Sequence, residues 1–274
     1  MQKIKNVFLF FLLVVFALVG TAHADHILLT QFDYDGYIQM ENNLESDGHT
    51  VDIVNAKTGG NIATALSTNA YDQVFFYDLT SSLYVNQDDI DALTGFFTDH
   101  NSIVVDSRSY GYNHVPEEAS GKALLRNIAA EFDSRGGGLW IGTDHDPAWT
   151  QNANPLLTAL GIETITGSYS QAVNNWDPSS VLLDGVNPTT LWAQGASVGS
   201  VPLGIQSNGI DMRFHFGHSS ATYGAIPYIS ASFGEYVAPD EDPDNHFDNP
   251  VPEPTTMILF GIGLLGLAGI QRKS

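Results

Sequence analysis

Five short apolar runs, four to six residues each and separated by segments long enough for a helix, constrain this chain more than anything else in it. They are His26–Gln31, Thr50–Val54, Gln73–Tyr77, Ser102–Asp106 and Leu139–Gly142. Runs such as QVFFY and SIVVD carry apolar residues at consecutive positions, and because successive side chains of a strand point to opposite faces, both faces must be covered. Helical periodicity fills the gaps. Tyr37, Met40 and Leu44 share one helix face and stop at Gly48. Asn86 is an N-cap ahead of Asp88, Asp89 and the apolar set Ile90, Leu93 and Phe97, and Leu125, Ile128, Ala129 and Phe132 line a longer helix that Gly136, Gly137 and Gly138 end. Strands alternating with helices predict an α/β fold, a mostly parallel sheet with helices on both faces.

Beyond residue 160 the rhythm turns β-rich. Pro202–Gln206, the turn Ser207-Asn208-Gly209 and the alternating run Ile210, Met212, Phe214, Phe216 predict a hairpin, and Ala225–Ser232 a last strand. On this alternation His215 shares the polar face with Asp211 and Arg213. Gly217-His218-Ser219-Ser220-Ala221 imitates the nucleophile elbow of α/β-hydrolases, but Gly224 and Pro227 leave too little room for the helix that must follow, so a turn between strands is expected. Residues 25–237 are thus expected to form one α/β domain with a β-rich C-terminal extension, and 238–251 an acidic, Pro-rich linker.

The order of elements over residues 26–165, above all Tyr71–Tyr77, a helix, then Asn101–Ser107, resembles the class I glutamine amidotransferase-like, flavodoxin-related fold. That resemblance implies a cysteine at the elbow after the strand and a His-x-Glu pair late in the chain. The sequence has no cysteine, and neither His215 nor His218 has a glutamate two residues on. Glutamine amidotransfer is excluded, and the resemblance points to a catalytically silent member.

In open α/β sheets ligands bind beyond the carboxyl ends of the strands. That edge collects Asp33, Asp35, Asp78, Asp106 with Ser107, Arg108 and Ser109, and Thr143-Asp144-His145-Asp146. Ser107 or Ser109 with His145 or His215 as base would suit a secreted serine hydrolase. Asp144, His145 and Asp146, completed by Asp106 and His215, would suit zinc, manganese or iron. The same residue types also cap helices and form turns, a use that competes at every one of these positions. In the linker, Asp240, Asp242, Asp244 and Asp248 imitate the start of a calcium loop without its glycine or its final glutamate. Trp140 belongs to the core, whereas Trp149 and Trp176, in Asn-rich stretches, are the better candidates for an exposed carbohydrate-binding face.

The termini bear on location. Lys3 and Lys5, the apolar stretch Val7–Val19 and the small-x-small pattern Ala22-His23-Ala24 read as a signal peptide cleaved before Asp25. At the other end Val251-Pro252-Glu253-Pro254 leads through two threonines into the apolar run Met257–Ile270, and Gln271-Arg272-Lys273-Ser274 follows. That run of 14 residues falls short of the roughly 20 that span a bilayer comfortably, its glycines weaken it, and its basic end would stay cytoplasmic. Pro252, Glu253 and Pro254, a short membrane helix and a basic stop together resemble a PEP-CTERM sorting signal over residues 252–274. The resemblance implies processing by an exosortase in the inner membrane, transient anchoring there, and passage to the cell surface or an exopolysaccharide or biofilm matrix. Between the two sorting segments six basic residues face thirty acids, a net charge near −24. Such a body repels nucleic acid and anionic lipid; no cofactor is required, and a divalent cation is the company its carboxylates would attract.

Overall fold

The computed structural model describes residues 24–31, 37–77, 82–99, 101–107, 119–142, 144–192 and 197–233. The chain divides into two units, Met1–Tyr236 and Val237–Ser274, and every described residue belongs to the first. The stretch Val7–Val19, Ala22, the acidic linker, Pro252, Glu253, Pro254 and the run Met257–Ile270 lie outside the described residues. Among the described residues no helix is long and apolar enough to cross a membrane.

Each of the five apolar runs is a strand: β1 (His26–Gln31), β2 (Thr50–Asn55), β3 (Gln73–Phe76), β4 (Ser102–Asp106) and β5 (Gly138–Gly142). They pair in parallel in the order β2-β1-β3-β4-β5, a doubly wound arrangement whose direction reverses between β1 and β3. The helices are α1 (Tyr37–Ser46), α2 (Asn61–Thr68), α3 (Gln87–Thr98), α4 (Ala119–Arg135) and α5 (Ala153–Ala159). Strand alternation divides the core into two layers. Leu29, Phe75, Val104 and Trp140, in register across the sheet, face Met40 and Leu44 of α1 and Leu125, Ile128 and Phe132 of α4. Leu28, Val74, Ile103 and Leu139 face the other way, onto Ile62 of α2, Ile90 and Leu93 of α3 and Leu156 and Leu157 of α5.

This division exposes an irregularity of hand. The steps β3 to β4 and β4 to β5 run in the same direction across the sheet, yet α3 and α4 lie on opposite faces, so the two crossovers differ in hand. The step β1 to β2 runs the other way with α1 on the face of α4, which gives it the hand of β3 to β4. With the majority right-handed, as such crossovers nearly always are, the β4-α4-β5 crossover is left-handed. It is the connection that leaves β4 through Ser107.

The β-rich part consists of β6 (Thr166–Tyr169), β7 (Asn175–Trp176), a 3-10 turn at Val181–Leu183, α6 (Pro188–Leu191), β8 (Val198–Ser200), β9 (Gly204–Ile205), β10 (Asp211–Ser220) and β11 (Gly224–Ala231). It continues the main sheet: β11 pairs antiparallel with β5, and the order runs on through β10 to β7 at the edge. β6 and β8 form a separate two-stranded sheet. The expected hairpin forms between β9 and β10, although β9 is only two residues long. The turn expected at Gly217–Ala221 falls later, because β10 runs on to Ser220 and pairs with β11 to Gly224. Gly217 is required there. A Cβ on it would lie 2.0 Å from the Ile226 carbonyl oxygen, a backbone atom that cannot yield without parting the strands.

Two glycine substitutions are expected to move stability in opposite directions. Gly217→Ala should destabilise by about 3 kcal/mol through that clash, whereas Gly95→Ala, exposed on α3 with open space around it, should stabilise by about 0.5–1 kcal/mol. Thermal melts of both variants check the pair.

Candidate functional site at the carboxyl edge of the sheet

At the β1/β3 switch point, where doubly wound sheets place their ligands, the Thr30 hydroxyl is committed to the fold. It lies 3.2 Å from the carbonyl oxygens of Phe75 and Tyr77 and accepts the Tyr77 amide at 3.0 Å. Asp33, Asp35, Asp78, Arg108, Ser109 and Thr143 lie outside the described residues. The site that can be built upward from the sequence is therefore the pair of strand ends β4 and β5.

Asp106 ends β4 and is buried against Gly142, which ends β5; a Cβ on that glycine would stand 2.6 Å from Asp106 Oδ1. Ser107, fully buried, accepts the Asp144 amide at 2.5 Å, so the hydroxyl oxygen clasps the two strand ends together. Asp144 is also buried. Its Oδ1 accepts the His145 amide at 2.7 Å and lies 2.8 Å from His145 Nδ1. His145 is partly exposed, with the Trp149 ring 6.2 Å away. Asp146 turns elsewhere: its Oδ1 accepts the Thr150 hydroxyl at 2.7 Å, ahead of α5, and the Asn154 side-chain Nδ2 at 3.4 Å.

Ser107, Asp144 and His145 are thus joined in a chain of hydrogen bonds, while Asp146 serves the turn into α5. The carboxylate and imidazole of Asp144 and His145 can hold and pass a proton. The Ser107 oxygen, by contrast, is engaged by a backbone amide. The three ligands expected for a metal do not converge, and among the described residues no group of three or more His, Cys, Asp or Glu could hold one.

His215 does not join them. A register shift in β10 between Phe214 and Phe216 turns it inward, contrary to the polar-face expectation, and it is 1% exposed. Its Nε2 lies 3.0 Å from the Phe233 carbonyl oxygen, and the Phe233 ring packs at Gly138, the first residue of β5, at the opposite end of the sheet from Asp144. Since a carbonyl only accepts, Nε2 carries the proton and Nδ1 accepts the Ser180 hydroxyl, 2.5 Å away. Burial pushes the imidazole down to about 4, against the raising effects of the Phe233 carbonyl and Asp177 and together with the lowering effect of Arg213. A hydroxyl paired with a neutral, weakly basic imidazole is a core cross-link. Sequence reasoning missed the pair because nothing in the run Pro178–Leu183 marks Ser180 as the partner of a histidine 35 residues away.

Open grooves among the described residues include one of about 650 Å³ bordered by Thr158, Ile162, Thr166, Val201, Leu203 and Pro227, and one of about 600 Å³ bordered by Asn127, Glu131, Ser180 and Asp184. Neither is lined by Ser107, Asp144, His145 or Asp146. Trp140 is fully buried, as expected, whereas Trp149 is half-buried and Trp176 exposed.

Residues 250–273 match the family model of the PEP-CTERM protein-sorting motif. The match takes in Pro252, Glu253, Pro254, the apolar run and the basic residues after it. The PEP-CTERM motif implies an exported protein that is held in the membrane transiently, recognised by an exosortase and passed to the surface. No curated protein and no solved structure matches the chain, so the amidotransferase-like resemblance of the body has no counterpart among these comparisons.

A protein exported by way of such a motif leaves the buffered cytosol, so its response to acid matters. In the unfolded chain a histidine binds its proton near the ordinary value of 6.5; His215 in the fold does so only at about 4. Between those values the unfolded chain holds more protons, so the stability His215 contributes is full above pH 6.5 and is lost as pH falls toward 4, on the order of 3 kcal/mol in all. Melting temperatures measured from pH 7 down to 5 should fall more steeply for the native chain than for His215→Gln.

Proposed function

We propose that this chain is a surface-destined PEP-CTERM protein whose α/β body is a catalytically silent, amidotransferase-like domain that works in an exopolysaccharide or biofilm matrix. The observation that carries the reading is the sorting motif at residues 250–273. A body that takes up the chain at Asp25, buried and accepting the Thr50 amide at 2.9 Å through its carbonyl, supports a signal-peptidase cut after Ala24. A silent body is supported by the lack of cysteine and by the use of strand-end polar groups as clasps and caps.

Export is tested at the tail. Glu253→Ala should leave the precursor in the membrane fraction, whereas the native protein should reach the surface without peptides from Met257–Ile270. Mass spectrometry of membrane and surface fractions reads both.

A second reading, a secreted hydrolase, is favoured by one contact, the Asp144–His145 pair beside Ser107, which is the acid–base half of a serine-hydrolase arrangement. Ser107→Ala and His145→Ala separate the two. In the silent body each variant loses about 1 kcal/mol of stability or less and there is no activity to lose. Esterase, amidase or glycosidase turnover that disappears in either variant would establish the hydrolase instead.

A further inference from the structure

We infer that the outer edge of the sheet, from Trp176 on β7 to Tyr223 at the tip of the β10–β11 hairpin, binds a neutral glycan chain; the inference rests on the matrix reading above and gives it a contact surface. β7 is the last strand of the main sheet, with β10 on one side only. Its Trp176, paired with the buried Phe216, is 41% exposed, and Tyr223 is 56% exposed. Burial of large aromatics is the default, so two of them left at one edge of a small domain ask for a partner.

The Tyr223 ring stands on a built support, and the backbone beside Trp176 is pinned. Asn174, exposed beside Trp176, extends the β7–β10 pairing by one step: its Nδ2 donates to the Ser219 carbonyl at 3.0 Å and its Oδ1 accepts the Ser219 amide at 2.7 Å. Tyr223 meets Tyr169 edge to face, ring centres 5.8 Å apart. Tyr169 in turn lies over Gly167, where a Cβ would come within 2.8 Å of its ring. Rigid aromatics lose little entropy on binding, which suits stacking on an extended polymer. From Phe216, opposite Trp176, the strand runs four residues to Ser220 before the turn, so the edge is roughly 13 Å long at about 3.3 Å per residue.

Charge selects the partner. The body carries thirty acids, yet residues 164–176 and 214–233, which build this edge, contain no Asp, Glu, Lys or Arg. Aromatic faces, amides and hydroxyls without charge match the apolar C–H faces and hydroxyl rims of neutral sugars, while the acidic remainder repels polyanions. Pairing with another protein strand is disfavoured, because β7 spans two residues and Pro178, just past it, has no amide to donate.

The test is affinity electrophoresis of the full-length chain in detergent, through gels cast with dextran, galactomannan or alginate. At least one of the two neutral polymers should retard the protein and alginate should not. Trp176→Ala and Tyr223→Ala should each weaken retardation roughly tenfold, with unchanged circular dichroism, while Leu83→Ala, exposed elsewhere on the fold, should leave it intact. The proposal is overturned if neither neutral polymer retards the chain, if retardation survives both aromatic substitutions, or if Trp176→Ala instead abolishes a concentration-dependent dimer, which would assign the edge to a second copy. Any of these leaves the export reading standing. A protein that binds the gel but never leaves the membrane would sink export and spare the edge.

Discussion

The central ladder β1-β3-β4-β5 has no face in contact with water, and the rest of the structure follows from that. Leu29, Phe75, Val104 and Trp140 need one covering layer and Leu28, Val74, Ile103 and Leu139 another. The helices are therefore distributed to both sides even where one crossover must take the unusual hand. A polar group that enters this sheet gains from a partner inside it, since an unpaired one costs about 1–3 kcal/mol. Gln73, on β3, reaches the Ala129 carbonyl of α4 at 3.0 Å and the Asp25 carboxylate, linking the start of the sheet to its longest helix. A chain without cysteines that is sent out of the cell relies on this double burial where many exported domains rely on disulfides.

The same constraint explains the conduct of the strand ends. Asp89 shows it most plainly. It is buried, it closes the capping box of α3 with Asn86, and its two oxygens also accept the amides of Gly60 and Ala63 at the start of α2, at 2.8 and 3.0 Å. One carboxylate thus satisfies orphan amides of two helices, whose dipoles favour a negative charge there. Ser107 on the Asp144 amide and Asn152 on the amides of Tyr84 and Val85 do comparable work. Acidic and hydroxyl residues gather at the carboxyl edge because several helices begin there, and a ligand site would draw on the same residue types.

Legibility in the sequence followed how local each signal was. The five buried strands were readable because continuous apolar runs of that length have few other uses, and α3 because Asn86 and Asp89 announce its start. The short helix α2 escaped, since Asn61–Thr68 holds only one fully buried residue, Ile62, and begins at Gly60 without a side-chain cap. β7 could not be read at all. Two residues become a strand only because Phe216 and Gly217 are there to pair with them, a contact forty residues away in the chain. His215 was misplaced for a related reason: alternation assumes an unbroken register, and the shift in β10 moved one residue from the polar side into the core.

That shift also separates the two histidine environments that the sequence left interchangeable as candidate bases. His145 stands at the carboxyl edge against a carboxylate, partly open to solvent, and can exchange protons there. His215 is locked between a hydroxyl and a carbonyl at the far end of the sheet, where taking up a proton would force it to donate to Ser180 and put a charge among Phe216 and Phe233. The histidine that is hydrogen-bonded to a serine hydroxyl is thus held too deep to act, and the serine clasped to the strand end before the more open histidine is already engaged by a backbone amide. The uncharged, aromatic edge beyond β10 uses His215 only as a support, its carbonyl accepting the Asp177 amide at 2.9 Å next to Trp176, so a role in binding can reside there without any demand on the imidazole's proton chemistry.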